Sequence, residues 1–263
     1  MTDAIVITGG AALHAPDLDA LPASVRTRAS RAERVTQLLL AGAGAALARA
    51  GLAITDGDPR PRLGVVVGTG FGCFLTNAAY QRRFADGGAA AASPRLFAAT
   101  VSNAAAGELA IAYRLGGPSV TLTAGAVAGL VAIAHAADVL ARGQADALVV
   151  GGVDAGGDAL DRWVADGGFG PCEPVSEGAA VLVLERGEHA ERRGADVRGV
   201  LHECTVAFDP DVIGVGPIPP GLAAAGPFDV WQTLERAPLH VRTTVSGRCP
   251  TGHVARVDVE RRQ

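Results

Sequence analysis

No lysine occurs among the 263 residues; all 23 basic side chains are arginine. This absence removes Schiff-base catalysis and the phosphate-gripping lysine of P-loop proteins. Aromatic residues are scarce at 4%, and charged residues make up only 19%. With a formal net charge of -4, the chain lacks the basic excess that nucleic-acid binding requires. Cys73, Cys172, Cys204 and Cys249 include no C-x-x-C pair, so neither a zinc ribbon nor a dithiol redox site is indicated. The six histidines form no H-E-x-x-H motif, and there is no G-x-S-x-G elbow. No cofactor or metal is expected. The opening MTDAIVITGG has no basic segment before an apolar core. The apolar stretch Ala124–Ala141 contains His135 and Asp138 and reads as a buried helix rather than a membrane span. The expectation is a cytoplasmic protein with reduced thiols.

Hydrophobic residues are plentiful at 49%, enough to bury a core for one large α/β domain or two small ones. Short apolar runs read as strands over Ala4–Thr8, Leu63–Val67, Ser119–Leu122, Ala147–Val150 and Ala179–Leu184. Ser30-Arg-Ala-Glu33 has the form of a capping box, and Val35, Leu38, Leu39 and Leu47 follow at helical spacing until Gly51. Further helices are expected over about 75–85, near Asn103–Tyr113 and over Ala124–Ala141, with a loop from Gly87 to Pro94. Strands apolar on both faces, alternating with helices, predict a mainly parallel sheet covered on both sides. Residues 209–238 are rich in proline and glycine and read as a long connector. Two short strands are expected near Val241–Val245 and Val254–Val259.

Local motifs say little on their own. Gly68-Thr-Gly-Phe-Gly72 follows a strand, but its spacing is not that of a dinucleotide fingerprint and no acidic partner follows. It reads as a tight strand-to-helix turn. Gly151-Gly-Val-Asp-Ala-Gly-Gly-Asp158 lacks the ligand spacing of a calcium loop and reads as a closely packed strand end. His135 reads as a core histidine and His189 as part of a solvated helix face.

A series of motifs in register is more specific. It runs Leu63-Gly-Val-Val-Val-Gly-Thr-Gly-Phe-Gly72, Ser93-Pro94, Thr100-Val-Ser-Asn-Ala-Ala-Ala-Gly107 and Leu115-Gly-Gly-Pro-Ser-Val-Thr121. Ala124-Gly-Ala-Val-Ala-Gly-Leu130, Arg142-Gly-Gln-Ala-Asp146, Gly151-Gly-Val-Asp154 and Ser176-Glu-Gly-Ala-Ala-Val-Leu-Val-Leu-Glu185 complete it. In this order the motifs resemble the N-terminal half of β-ketoacyl-ACP synthases, the thiolase-fold condensing enzymes. The resemblance covers about residues 4–200. It implies a single α/β, thiolase-like domain over 1–263: an N-terminal half over 1–200 and a truncated C-terminal remnant over 201–263, with the connector at 209–238.

The departures matter as much. The family's nucleophilic cysteine falls, in register, on Ala126, whose methyl group cannot form a thioester. The two catalytic histidine motifs of the family's C-terminal half have no counterpart. Val245–Val257 resembles the family's closing turn and final strand, so His253 does not match either histidine. The resemblance therefore implies a non-catalytic chain length factor paired with an active ketosynthase in a type II polyketide synthase of the polyene or highly reducing kind. Acyl carrier protein would meet the pair, through the partner if not directly. Subunits of aromatic systems carry Gln at the cysteine position, and Ala126 speaks against a decarboxylase role of that type. Tunnel-gating positions by this resemblance are Phe74, Thr76 and Tyr80, with Leu96, Phe97, Thr100 and Val101 behind them; amphipathic spacing fits ordinary core aromatics equally well. Two other functions stay open. One is a stand-alone thiolase-fold acyltransferase, cyclase or decarboxylase using Cys73 or, less well placed, Cys172. The other is a structural homodimer with no acyl ligand.

Overall fold

The computed structural model describes residues 4–53, 59–167, 175–214 and 221–263. In chain order these form β1 (Ile5–Leu13), α1 (Ala23–Ala29), α2 (Arg34–Arg49), β2 (Leu63–Thr69), α3 (Phe74–Ala91), α4 (Pro94–Ala98), α5 (Ala104–Ala112) and β3 (Ser119–Thr123). A short 3-10 turn leads into α6 (Ala128–Ala141), followed by β4 (Ala147–Asp154), α7 (Asp158–Asp166), β5 (Gly178–Arg186) and α8 (Gly187–Arg192). The chain closes with β6 (Gly199–Phe208), α9 (Leu222–Arg236), β7 (Arg242–Arg248) and β8 (His253–Arg261).

The strands make one eight-stranded sheet in the order β3-β2-β4-β5-β1-β6-β8-β7. Every residue of β2 and β4 is buried. Alternate side chains go to opposite faces, as the period of two requires. Val65, Val67, Val149 and Val183 meet Leu38, Leu39 and Leu47 of α2. Val66, Leu148, Val150 and Leu184 meet Leu130 and Ile133 of α6, and Val230 and Leu234 of α9. Truncating one of these fully buried leucines to alanine costs about 2–5 kcal/mol.

The sheet is mixed, which corrects the expectation of a mainly parallel one. Only β2 runs parallel to its neighbours β3 and β4; the other pairings are antiparallel. Helices cover both faces, and that burial makes the central strands apolar whichever way they run. The connector reading of 209–238 is also corrected. Residues 215–220 lie outside the described residues, but Leu222–Arg236 is a helix whose Val230 and Leu234 enter the core. It approaches closely because Gly129 and Gly152 lack side chains: a Cβ on either would overlap the Ala223 carbonyl.

Ser30 does not cap α2. It closes α1, donating its hydroxyl to the Thr27 carbonyl at 3.0 Å, and Glu33 holds the N-cap position of α2. The expected loop at Gly87–Pro94 is mostly helix, since α3 runs on to Ala91 through a break at Gly88, where φ is 61°. The two closing strands overlap β7 and β8; β6, which lies between β1 and β8 in the sheet, had no sequence signal. No helix among the described residues is long and apolar enough to cross a membrane.

Candidate functional site

Two turns at one end of the sheet face the interior. The first, Gly68–Gly72, leaves β2 and enters α3. Gly72 takes a positive φ of 52°, and its N–H donates to Thr69 Oγ1 at 2.8 Å. The turn closes on the buried carboxylate of Asp154 at the end of β4. Asp154 accepts from Thr69 Oγ1 at 2.8 Å, from the N–H groups of Gly70 and Phe71 at 3.0 and 2.9 Å, and from the Ala223 N–H at 3.1 Å. Burial pushes this carboxyl above the usual carboxylate range, and the four donors pull against that shift. So the Gly151–Asp158 segment is a packed strand end, and Asp154 is spent on internal donors. Among the described residues, no group of three His, Cys, Asp or Glu side chains is placed to hold a metal ion.

The second turn links β3 to α6. Gly125 takes a φ of 55°, and Ala126 follows in the 3-10 turn, only 6% exposed. This is strand–turn–helix geometry suited to presenting a nucleophile at a helix start, and it presents a methyl group. Cys249, from the turn between β7 and β8, packs against it: a Cβ on Gly125 would overlap the Cys249 sulfur. Thr251 Oγ1 donates to that sulfur at 3.2 Å and lies 3.0 Å from His253 Nδ1.

The gating candidates separate into two groups. Phe74 turns toward α7, its ring centroid 6.2 Å from Phe71 and 5.6 Å from Trp163. Tyr80 turns the other way and meets Phe97 at 5.6 Å. Thr76 and Leu96 are buried, whereas Phe97 and Val101 are 59% and 53% exposed. Thr100 donates its hydroxyl to the Phe97 carbonyl at 2.7 Å. Tyr80, Phe97, Thr100 and Val101 therefore share one region, and Phe74 belongs to a separate aromatic cluster.

Cys73 directs its thiol to the Thr100 carbonyl at 2.8 Å and accepts from Asn77 Nδ2 at 3.2 Å. Neither partner is a base that could take its proton. The cavity beside it measures about 10 Å³, room for about one water molecule. Cys172 lies outside the described residues.

His189 does not sit on a solvated face. Its Nδ1 lies 2.7 Å from Oε2 of Glu185, a carboxylate fully buried at the end of β5. Arg193 and the Thr8 hydroxyl complete the cluster. Burial pushes the Glu185 carboxyl up, but Arg193, Thr8 and His189 outweigh it and hold the group below its ordinary value. Sequence reasoning missed Asp154 and Glu185 as structural anchors. Their signal is an acid ending a wholly apolar strand, where no water can satisfy it and internal donors must.

Residues 7–190 match the family model for the N-terminal domain of β-ketoacyl synthases. The 3-oxoacyl-[acyl-carrier-protein] synthase 2 of Vibrio harveyi is 31% identical over 179 residues, covering 59% of this chain and 42% of that protein. Nodulation protein E of Rhizobium meliloti is 33% identical over 181 residues, covering 63% of this chain and 44% of that protein. The chain thus spans less than half the length of these curated relatives. Among solved structures, the ishigamide ketosynthase/chain length factor superposes with a TM-score of 0.80 at 17% identity, covering 99% of this chain and 100% of that one. A type II polyketide acyl-carrier protein in complex with its ketosynthase bound to the hexaketide gives 0.82 at 18% identity, covering 98% and 99%. These likenesses extend the thiolase-like fold to the residues beyond 190, and the chain belongs to the β-ketoacyl synthase family through its N-terminal domain.

Proposed function

We propose that this chain is a non-catalytic chain length factor. It pairs with an active ketosynthase in a type II polyketide synthase, of the polyene or highly reducing kind, and shapes the tunnel that holds the growing acyl chain. The observation that carries this reading is Ala126: in the turn opening α6, the position that by resemblance would hold the family's nucleophile carries a methyl group. The acyl chain then resides on the partner's cysteine, with carrier protein delivering to the partner, in the cytoplasm.

An uncovered apolar face supports a partner. Phe97, Val101 and Ile111 are exposed, and β3 is an edge strand with half-exposed side chains. A homologous subunit would cover this face, in an interface of more than about 2,000 Å² if obligate. The gating residues of this reading are Tyr80, Thr76, Phe97, Thr100 and Val101, with buried Leu96; the contacts of Phe74 with Phe71 and Trp163 favour a packing role for it.

The test is co-expression with the ketosynthase encoded nearest to it. A stable one-to-one complex, with condensation lost when this chain is omitted, is the expected result. A monomer or homodimer that ignores the ketosynthase would overturn the reading.

A further inference from the structure

The sheet has two halves built alike. At its middle β1 pairs antiparallel with β6. Outward from β1 come β5 and then β4; outward from β6 come β8 and then β7, every pairing antiparallel. Helix α6 precedes β4, α9 precedes β7, and both pack on the same face. Beyond β4 the first half continues with β2, which runs parallel to it, and β3. Beyond β7, among the described residues, no strand follows. The β7 edge is therefore an open strand position, at the end of the sheet opposite β3.

The backbone of β7 is set to receive a strand. Cys249 N–H donates to the His253 carbonyl at 2.8 Å, and His240 N–H to the Arg261 carbonyl at 2.9 Å. Hydrogen-bonded pairs alternate along an antiparallel ladder, so Thr243, Val245 and Gly247 bond β8. Thr244, Ser246 and Arg248 turn their N–H and C=O groups to the open edge. Val245 enters the core beneath α9, so the side chains of Arg242 and Arg248 stand on the opposite face. Beside the edge, a groove of about 600 Å³ separates β7 from Asp229, Gln232, Thr233 and Arg236 of α9. Its α9 wall is polar, where α6 offers Leu130 and Ile133 to β2.

Charge selects the occupant. Arg236, Arg242 and Arg248 are exposed. Arg236 donates to Gln232 Oε1 at 3.0 Å and Arg242 lies 3.0 Å from His202 Nδ1, but none of the three pairs with a carboxylate among the described residues. Pairing β7 with a second copy of itself over its whole length would set Arg242 opposite Arg248 twice, and like charges directly opposed are destabilising. Cations on an edge repel such copies and favour an acidic strand.

We propose that β7 takes an extended acidic segment of another protein as an added strand. The segment's backbone bonds the outward groups of Thr244, Ser246 and Arg248. Its acids lie beside Arg242 and Arg248, and its alternate side chains, small and polar, enter the groove beneath α9. This inference does not depend on the partner-subunit reading, which concerns the β3 side.

Fluorescence anisotropy and amide hydrogen exchange of the full chain with the labelled peptide Glu-Thr-Val-Thr-Val-Thr-Glu test it at low salt. The peptide should bind, and should slow exchange at Thr244 and Ser246 but not in β3. The same peptide with Lys at both ends should bind about tenfold or more weaker. Ser246→Pro removes one outward N–H at an edge where proline is tolerated; it should weaken the acidic peptide by about tenfold with an unchanged melting temperature. Arg242→Glu combined with Arg248→Glu should reverse the order of the two peptides, which a merely structural loss would not do. No binding of the acidic peptide, equal affinity for both peptides, or binding that leaves exchange in β7 unchanged would overturn the proposal. So would a dimer that Ser246→Pro dissolves, since β7 would then serve a second copy of this chain.

Discussion

The backbone N–H of Ala223 donates to Asp154 Oδ2 at 3.1 Å, joining residues 69 positions apart. One carboxylate thereby fixes the turn after β2, the end of β4 and the start of α9. Asp154→Ala would leave three backbone N–H groups and the Thr69 hydroxyl without their acceptor. Each unpaired buried donor costs about 1–3 kcal/mol, so with relaxation a loss of about 4 kcal/mol is expected. Urea unfolding measures it, and a loss below about 1 kcal/mol would contradict this account of the turn.

The Glu185 cluster gives a signed pH dependence. Its folded pKa lies below the ordinary value of 4.5, so its stabilisation is complete above that value and is lost as pH falls through the folded value. Asp146, held low by Arg62, and Glu260, held low by His202, act in the same direction. Denaturant midpoints should fall as pH drops below about 4.5, less steeply than these three groups alone would give, because Asp154, raised by burial, acts the opposite way. Glu185→Gln should shallow that fall without removing it. Arg193→Ala, which leaves the buried carboxylate only Thr8 and His189, should cost about 2 kcal/mol at neutral pH.

These anchors show what could be read from the residues and what could not. The runs in β2, β4 and β5 announce buried strands, and the motif series, by resemblance, aligns Ala126 with the family's nucleophile. Strand direction is not legible there, because burial on both faces yields the same valine- and leucine-rich composition either way. Helix α9 is hidden by Gly226 and Pro227: the proline removes the helical partner of the Ala223 carbonyl, yet packing of Val230 and Leu234 holds the helix. The separation of Phe74 from Tyr80 is equally invisible, since it depends on where α7 brings Trp163.

That separation predicts two different phenotypes. In the complex, Tyr80→Ala or Phe97→Ala should change the product's chain length, read by mass spectrometry, with stability lowered by no more than about 2 kcal/mol at these part-exposed positions. Phe74→Ala should lower stability by about 1–2 kcal/mol through loss of its ring contacts at a part-buried position, and leave chain length unchanged. Altered length from Phe74→Ala alone would reverse the assignment.

Cys73 is bound to a carbonyl and an amide rather than to a base. Cys73→Ala should therefore leave the complex's turnover within about twofold of the parent, a change under 0.5 kcal/mol in barrier. Loss of turnover would favour an enzyme acting through this thiol.

The central claim is that no acyl group is carried by this chain. Intact-mass spectrometry of both subunits during turnover with acyl-carrier thioesters tests it most directly. The account predicts that the ketosynthase subunit gains the acyl mass while this chain keeps its unmodified mass. An acylated form of this chain, appearing and disappearing at the turnover rate, would contradict it.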